Sequence, residues 1–364
     1  MSKRSRERRL RRAPPPPPPE RAAKSPAPLP PPWSTFWREH APAAAALFVL
    51  SLVVRVSVLL QVSRTPYFQV RNIDSEAYHQ WAVRIAAGHV LPAEAFYQSP
   101  LYAYYLATLY TLFGEGTWSP RVIQVAVGSV GAVLVYAIGT RLFSPMVGWL
   151  AGIGLALYGP IVLEEITISK TSLLLVTVLA AFALYVWEVP RGRTPGVLAA
   201  GVLFGVTVVG VGQWLLAFLA LVAWSPWMAE RLSPSDRRRV AAAFAAGGLA
   251  VILPLVAWNT GKGGGLMLTS GDAGLNFYHG NNERASGLPA KPIGLRDVPQ
   301  YEEEDARWLA ERAVGHRLNQ AEVSRYWTGE ALAWIARRPG DWLVVLGRKL
   351  ITLWNAFELP DNYH

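Results

Sequence analysis

Long apolar runs organise this sequence. The first, "APAAAALFVLSLVVRVSVLLQV" over residues 41–62, carries a single charge, Arg55. A helix needs about 20 apolar residues to cross about 30 Å of hydrocarbon. Further runs of that kind occupy 118–140, 146–163, 171–187, 196–212, 214–230 and 240–258. With 52% of residues hydrophobic and only 16% charged, the chain reads as an all-α polytopic membrane protein with about seven transmembrane helices. Arg55 at mid-bilayer would cost about 2.5–3.5 kcal/mol, so it must snorkel outward or find a carboxylate. The run 196–212 is short and glycine-rich, which predicts a tilted, broken or partly crossing helix. There is no cysteine, which excludes disulfides, thiolate chemistry and cysteine-ligated zinc.

Charge sets the expected orientation. "PLYAYYLATLYTLFG", 100–114, is apolar but would extend only about 22 Å as a helix. If it lies on the membrane surface, Arg141, Arg191, Arg193, Arg231, Arg237, Arg238 and Arg239 all fall in cytoplasmic loops. If it crosses, every one of them moves outside. The excess of cations in cytoplasmic loops favours the surface helix, with the N-terminus inside. The formal net charge of +10 does not signal a nucleic-acid partner, because nine Lys and Arg lie within residues 1–32, against Glu7 and Glu20. That proline-rich arm predicts a disordered tail next to anionic lipid. The expected organisation is a cytoplasmic tail at 1–40, a transmembrane core at 41–258 with an outer loop at 63–117, and an outer segment at 259–364.

The outer segment differs in character. Residues 260–287 read as loop from their glycines and asparagines, and "YEEEDARWLAERAVGHRLNQAEVSRYWTGEALAWIARRP" as charged amphipathic helix. Pro339 and Gly340 break it, and "DWLVVLGRKLITLWNAF" follows as a surface helix with Arg348 and Lys349 at headgroup depth. The end at "ELPDNYH" carries no terminus signal, so the sequence is expected to be part of something longer.

Ionisable groups gather on the outer side. Asp74 and Glu76 open a predicted helix at 75–88, Glu164, Glu165 and Lys170 lie in a turn at 163–170, and Gln213 ends a span. Carboxylates at a membrane edge point to function. From spacing alone, Asp74 reads equally as an N-cap with Glu76 in the first turn, and Glu164 and Glu165 as a solvated turn. His79, His89 and His279 lack metal-ligand spacing and read as structural.

"IDSEAYHQWAVRIAAGHVLPAEAFYQSPLYAYYLATLYTLFG" resembles the first outer loop of the C-type glycosyltransferases. Within them it is most similar to glycosyltransferase family 39, the protein O-mannosyltransferases and the lipid A aminoarabinose transferase. "VYAIGTRLFSPMVGWLAGIGLALYGPIVLEEITISKTSLLLVTVLAAFALY" resembles the spans that follow, and "LNFYHGNN" and "RKLITLWNAFELPDN" resemble outer segments of bacterial members. The resemblance implies an integral-membrane enzyme of a bacterial inner membrane. Such an enzyme moves a sugar from a polyprenyl phosphate to a hydroxyl of a protein, lipid or glycan at the outer face. It implies Asp74 as general base, with Glu76 beside it. Donor contacts would come from Tyr78, His79, Gln98, Glu164, Glu165, Lys170, Gln213 and Asn276, and the donor phosphate would meet Arg348 and Lys349, with Lys170 a weaker candidate. Gln98 and Ser99 stand where some relatives carry an acid and a lysine, and Gln213 where many carry an arginine; this leaves donor identity and an inactive paralogue open. The single Asp74/Glu76 pair favours chemistry without a metal or other cofactor. The other readings are a non-catalytic binder of lipid-linked sugar and a polytopic transporter. A transporter would show paired repeats, and the sequence has no convincing internal repeat.

Overall fold

A computed structural model describes residues 32–71, 73–296 and 299–354. Residues 1–31 of the predicted N-terminal tail and the "ELPDNYH" end lie outside the described residues, and the tail is shorter than the expected 1–40, because Trp33 to His40 already belong to the first helix. The described chain is all helical, without strands. The membrane portion comprises α1 (Trp33–Val62), α4 (Trp118–Leu142), α5 (Pro145–Leu157), α6 (Gly159–Glu165), α7 (Thr171–Glu188), α8 (Thr194–Gly210), α9 (Trp214–Met228) and α10 (Pro234–Gly263). Between α1 and α4 come α2 (Ile73–Ala86) and α3 (Leu101–Phe113). After α10 come α11 (Ala273–Gly280), α12 (Pro299–Val314), α13 (Gln320–Arg337) and α14 (Pro339–Leu353).

Every predicted span is a helix, but they are not equal. Four are long and apolar enough to cross a membrane: α1, α4, α7 with its short extension to Arg191, and α10. The helices α5 and α6 reach that length only together, as a pair broken at Tyr158 and bent by 53°. At 17 and 15 residues, α8 and α9 extend only about 25 and 22 Å. The seven expected crossings thus resolve into four full-length helices, one bent pair and two short apolar helices. The glycines of α8 have a packing reason: a Cβ on Gly201 would lie 2.2 Å from the Phe244 carbonyl oxygen of α10, and one on Gly247 would lie 2.3 Å from that of Leu198. Small residues let the two backbones touch.

The face of α1 explains Arg55. Leu47, Ser51, Arg55 and Leu59 recur every fourth residue and are buried, whereas Val49, Val53 and Leu60 are exposed. Polar groups turn inward and apolar ones outward, as lipid requires. A core of Phe36, Leu47, Tyr136, Tyr185, Trp187, Phe204, Phe218 and Phe244 ties α1, α4, α7, α8, α9 and α10 together.

The 13-residue α3 packs lengthwise on α2 through Tyr78, Ala82, Tyr102, Ala103, Leu106 and Tyr110. Two sequence expectations for the outer segment need correction. Residues 260–287 are not all loop, because α11 lies within them. The single amphipathic helix is two, parted at Gly315, whose φ of 82° suits glycine. The second, α13, restarts with a capping box between Asn319 and Glu322. A small core of Leu275, Ala306, Ala310, Val323 and Trp327 joins α11, α12 and α13.

Candidate active site

Asp74 lies in the first turn of α2, where the helix dipole favours a carboxylate. One turn on, the buried Tyr78 packs edge-on against Tyr102 with ring centroids 5.1 Å apart. Lys170, at the start of α7, places its Nζ 5.8 Å from the centre of the Tyr78 ring. Burial pushes the Tyr78 hydroxyl up, a hydrogen bond and the charge of Lys170 pull it down, and the carboxylates of Asp74 and Asp272 push it up again. Lys170 thus lies near the Tyr78 ring, and the charges of Asp74 and Asp272 act on the same hydroxyl.

Asp272 is the residue that sequence reasoning missed. It occupies the N-cap position of α11 but caps nothing. Its Oδ1 instead accepts from Ser270 Oγ at 2.5 Å, and the side chain bonds Asn276. Burial, with Glu302 adding to it, pushes the carboxyl up to about 6 against the pull of Ser270, Asn276 and Lys170. The surrounding loop is held by backbone bonds from Gly271 N to Phe96 O (2.9 Å) and from Asp272 N to Tyr97 O (3.0 Å). The fully buried Asn259 of α10 accepts from Phe96 N at 3.0 Å and donates to Thr269 O at 2.6 Å, fixing both strands of that contact. Beyond Asp272, Glu302 accepts from the Tyr97 hydroxyl at 3.1 Å and stands 3.6 Å from Lys291 Nζ.

The structure thus brings Asp74, Tyr78, Lys170 and Asn276 to one place, and the rest of the candidates elsewhere. Glu76 turns to Arg71 (3.2 Å) and Gln80 (2.9 Å). His79 is buried between the Tyr110 hydroxyl (2.8 Å) and Glu115 (3.2 Å), and burial together with Arg71 holds its imidazole below the usual range. Glu164 accepts from Ser169 at 3.1 Å. Glu165 is not part of a solvated turn: it ends α6, is wholly buried and pairs with Arg55. Gln98 is half-buried and Gln213 exposed. Arg348 is exposed, while Lys349 donates to the Gly280 carbonyl at 2.7 Å. That carbonyl ends α11, about 12 Å along the helix from Asp272. Asp272 also corrects the premise that Asp74 and Glu76 stand alone as acids. Among the described residues no three His, Asp or Glu side chains gather as metal ligands.

An open apolar groove of about 420 Å³ is walled by Leu91, Phe96, Leu101, Tyr104, Leu255 and Trp258 among others. Phe96 lines the groove, and its neighbour Tyr97 meets Asp272.

Residues 97–258 match the family of dolichyl-phosphate-mannose-protein mannosyltransferases. The match spans α3 to most of α10, somewhat under half of the chain. Over that stretch the chain is similar to a family of membrane glycosyltransferases, the one its first-loop motifs resemble. Asp74 lies just before the matched stretch and Asp272 just after it. No curated protein and no solved structure matches the chain.

Proposed function

We propose that this protein transfers a sugar from a polyprenyl-phosphate donor to an acceptor hydroxyl at the outer face of a bacterial inner membrane, with its N-terminus cytoplasmic. The observation that carries the reading is Lys170 set 5.8 Å from the Tyr78 ring, one helical turn from Asp74, in a protein that also holds an open apolar groove. The groove suits an isoprenoid tail, and Lys170 suits the phosphate at its head. The acceptor oxygen attacks the anomeric carbon from the face opposite the phosphate, which inverts that centre. The bond from carbon to phosphate oxygen breaks, and its electron pair leaves with the polyprenyl phosphate. Asp74 accepts the hydroxyl proton, which requires a carboxylate within hydrogen-bond reach. Lys170 meets the negative charge that grows on the departing phosphate. In this scheme Lys170 takes the part the sequence assigned first to Arg348 and Lys349.

Transfer of radiolabelled mannose from dolichyl phosphate mannose, in proteoliposomes, tests the assignment. Asp74→Asn should lower turnover by roughly 10²–10⁴-fold, the usual contribution of a positioned general base. Undiminished transfer by the variant would reject the role of Asp74.

A further inference from the structure

The six residues "EITISK", 165–170, lead from α6 to Lys170, and only the first of them is helical. Backbone carbonyls that leave a helix inside a membrane protein need partners. Four consecutive ones here are taken by side chains from other helices. Gln124 Nε2 of α4 donates to Glu165 O at 3.0 Å and to Thr167 O at 2.5 Å. Arg121 Nε of α4 donates to Ile166 O at 2.7 Å. Ser75 Oγ of α2 donates to Ile168 O at 2.8 Å. Gln124 is wholly buried, and its Oε1 accepts from the Tyr102 hydroxyl of α3 at 2.6 Å. Behind the segment, Arg55 closes the break of the bent pair: it pairs with Glu165 at the end of α6 and donates to Ala156 O near the end of α5 at 3.3 Å.

Ser75 follows Asp74 directly, and Ile168 precedes Lys170 by two residues. The Ser75 bond therefore ties the helix of one reacting group to the loop of the other, and Gln124 anchors that loop to α4. We infer that Ser75 and Gln124 are positioning residues, which fix the distance between Asp74 and Lys170 and so tune the transfer. The inference rests on the proposed roles of Asp74 and Lys170.

Two measurements test it, one of them independent of any reaction. The chain has no cysteine, so spin labels can be placed singly at the exposed positions Gln80 on α2 and Leu163 on α6. Electron–electron double resonance should give a narrow distance distribution in the otherwise unaltered protein and a broader one in Ser75→Ala and in Gln124→Met. An unchanged distribution in both variants would overturn the inference, whatever reaction the protein performs. Kinetically, Ser75→Ala should lower kcat about tenfold with donor KM nearly unchanged, since a displacement well under 1 Å costs less than the roughly 10²-fold of a full one. Ser75→Thr should recover most of the loss. In a Lys170→Met background, Ser75→Ala should add little, because residues acting through one another are not additive. Losses that multiply across the two variants, or that track only the amount of folded protein, would count against positioning. A silent Asp74→Asn alongside a broadened distribution would instead sink the transferase reading and leave the tie in place.

Discussion

The same residue types, arginine and glutamate, are used in opposite ways at two places in this molecule. Beneath the candidate site, Arg55 and Glu165 are both wholly buried, and Arg55 reaches Ser51 Oγ at 2.6 Å as well. On the outer segment, Arg307 of α12 reaches Glu94 at 3.0 Å and Glu303 at 3.3 Å with its side chain 32% exposed and that of Glu94 62% exposed. Distance alone would rank these pairs together. Burial separates them. In water the attraction is largely screened and side-chain entropy opposes it. Inside the bundle neither ion can be left without the other, because desolvation has already removed the alternative partner. The first pair therefore fixes the backbone on which Lys170 is carried, while the second adjusts how closely the outer segment lies on the first outer loop.

The largest effect should follow from breaking the buried pair from one side. Arg55→Met leaves the Glu165 carboxylate buried against Gly128, where a Cβ would lie 2.3 Å from Glu165 Oε1. The cost should be about 3–5 kcal/mol, the usual range for a buried ion left alone. Thermal unfolding in detergent micelles, followed by circular dichroism, would register this as a large fall in Tm. The double variant Arg55→Met, Glu165→Met should regain most of it, since removing both charges removes the uncompensated one. A double variant no more stable than Arg55→Met would show that the charge itself is not what holds α5 and α6 at their bend.

That pair also marks how far the sequence could be read. Arg55 stood out as a costly charge in an apolar run, and a carboxylate partner was one of its two expected fates. Glu165 was visible as an acid but read either as a donor contact or as part of a solvated turn, because nothing in "LEEITISK" shows that α6 carries it inward. All the apolar segments were legible as helices from length and composition. The bend at Tyr158 and the shortness of α8 and α9 were less so, since hydropathy reports how apolar a segment is and not where its axis turns. Of the residues in the proposed site, Asp74 and Lys170 were legible by type and place, and Tyr78 only through the resemblance. Ser75, Arg121 and Gln124 were not, because a side chain bonding a distant carbonyl leaves no periodicity. Asp272 was hidden differently. An aspartate ahead of "AGLNFY" reads as an N-cap, and only the fold shows that its carboxylate turns to Ser270 and Asn276.

An intermediate effect concerns acids at the junction of the two regions. Burial raises the Asp272 carboxyl to about 6 and that of Glu303 to about 7, despite Arg307 beside the latter. Ordinary aspartate and glutamate titrate near about 4. The folded state therefore holds protons that the unfolded chain has released. Stability from these two groups is fully present below about pH 4 and is lost as pH rises through about 6 for Asp272 and about 7 for Glu303. Asp272→Asn should flatten the fall in Tm between about pH 4 and 6, leaving the variant above the unaltered protein at pH 7 by about 2–4 °C. A Tm–pH curve that keeps its slope in the variant would remove Asp272 from the titration.

The smallest effect should come from the half-exposed ion pairs of Arg307, and its smallness is the useful part. Arg307→Ala removes contacts to both Glu94 and Glu303, yet the loss should stay within about 0.2–1 kcal/mol, as for other exposed pairs. Salt should mimic the substitution, because the screening length falls from about 10 Å at 0.1 M to about 3 Å at 1 M. The Tm difference between Arg307→Ala and the unaltered protein should therefore shrink as sodium chloride is raised, whereas the difference produced by Arg55→Met should not. The substitution also takes from Glu303 the cation that holds its carboxyl down, so the upper step of the Tm–pH curve should move to higher pH. If Arg307→Ala proved as damaging as Arg55→Met, or as indifferent to salt, exposure would not be what separates the two regions, and the outer segment would have to be docked by Arg307 itself.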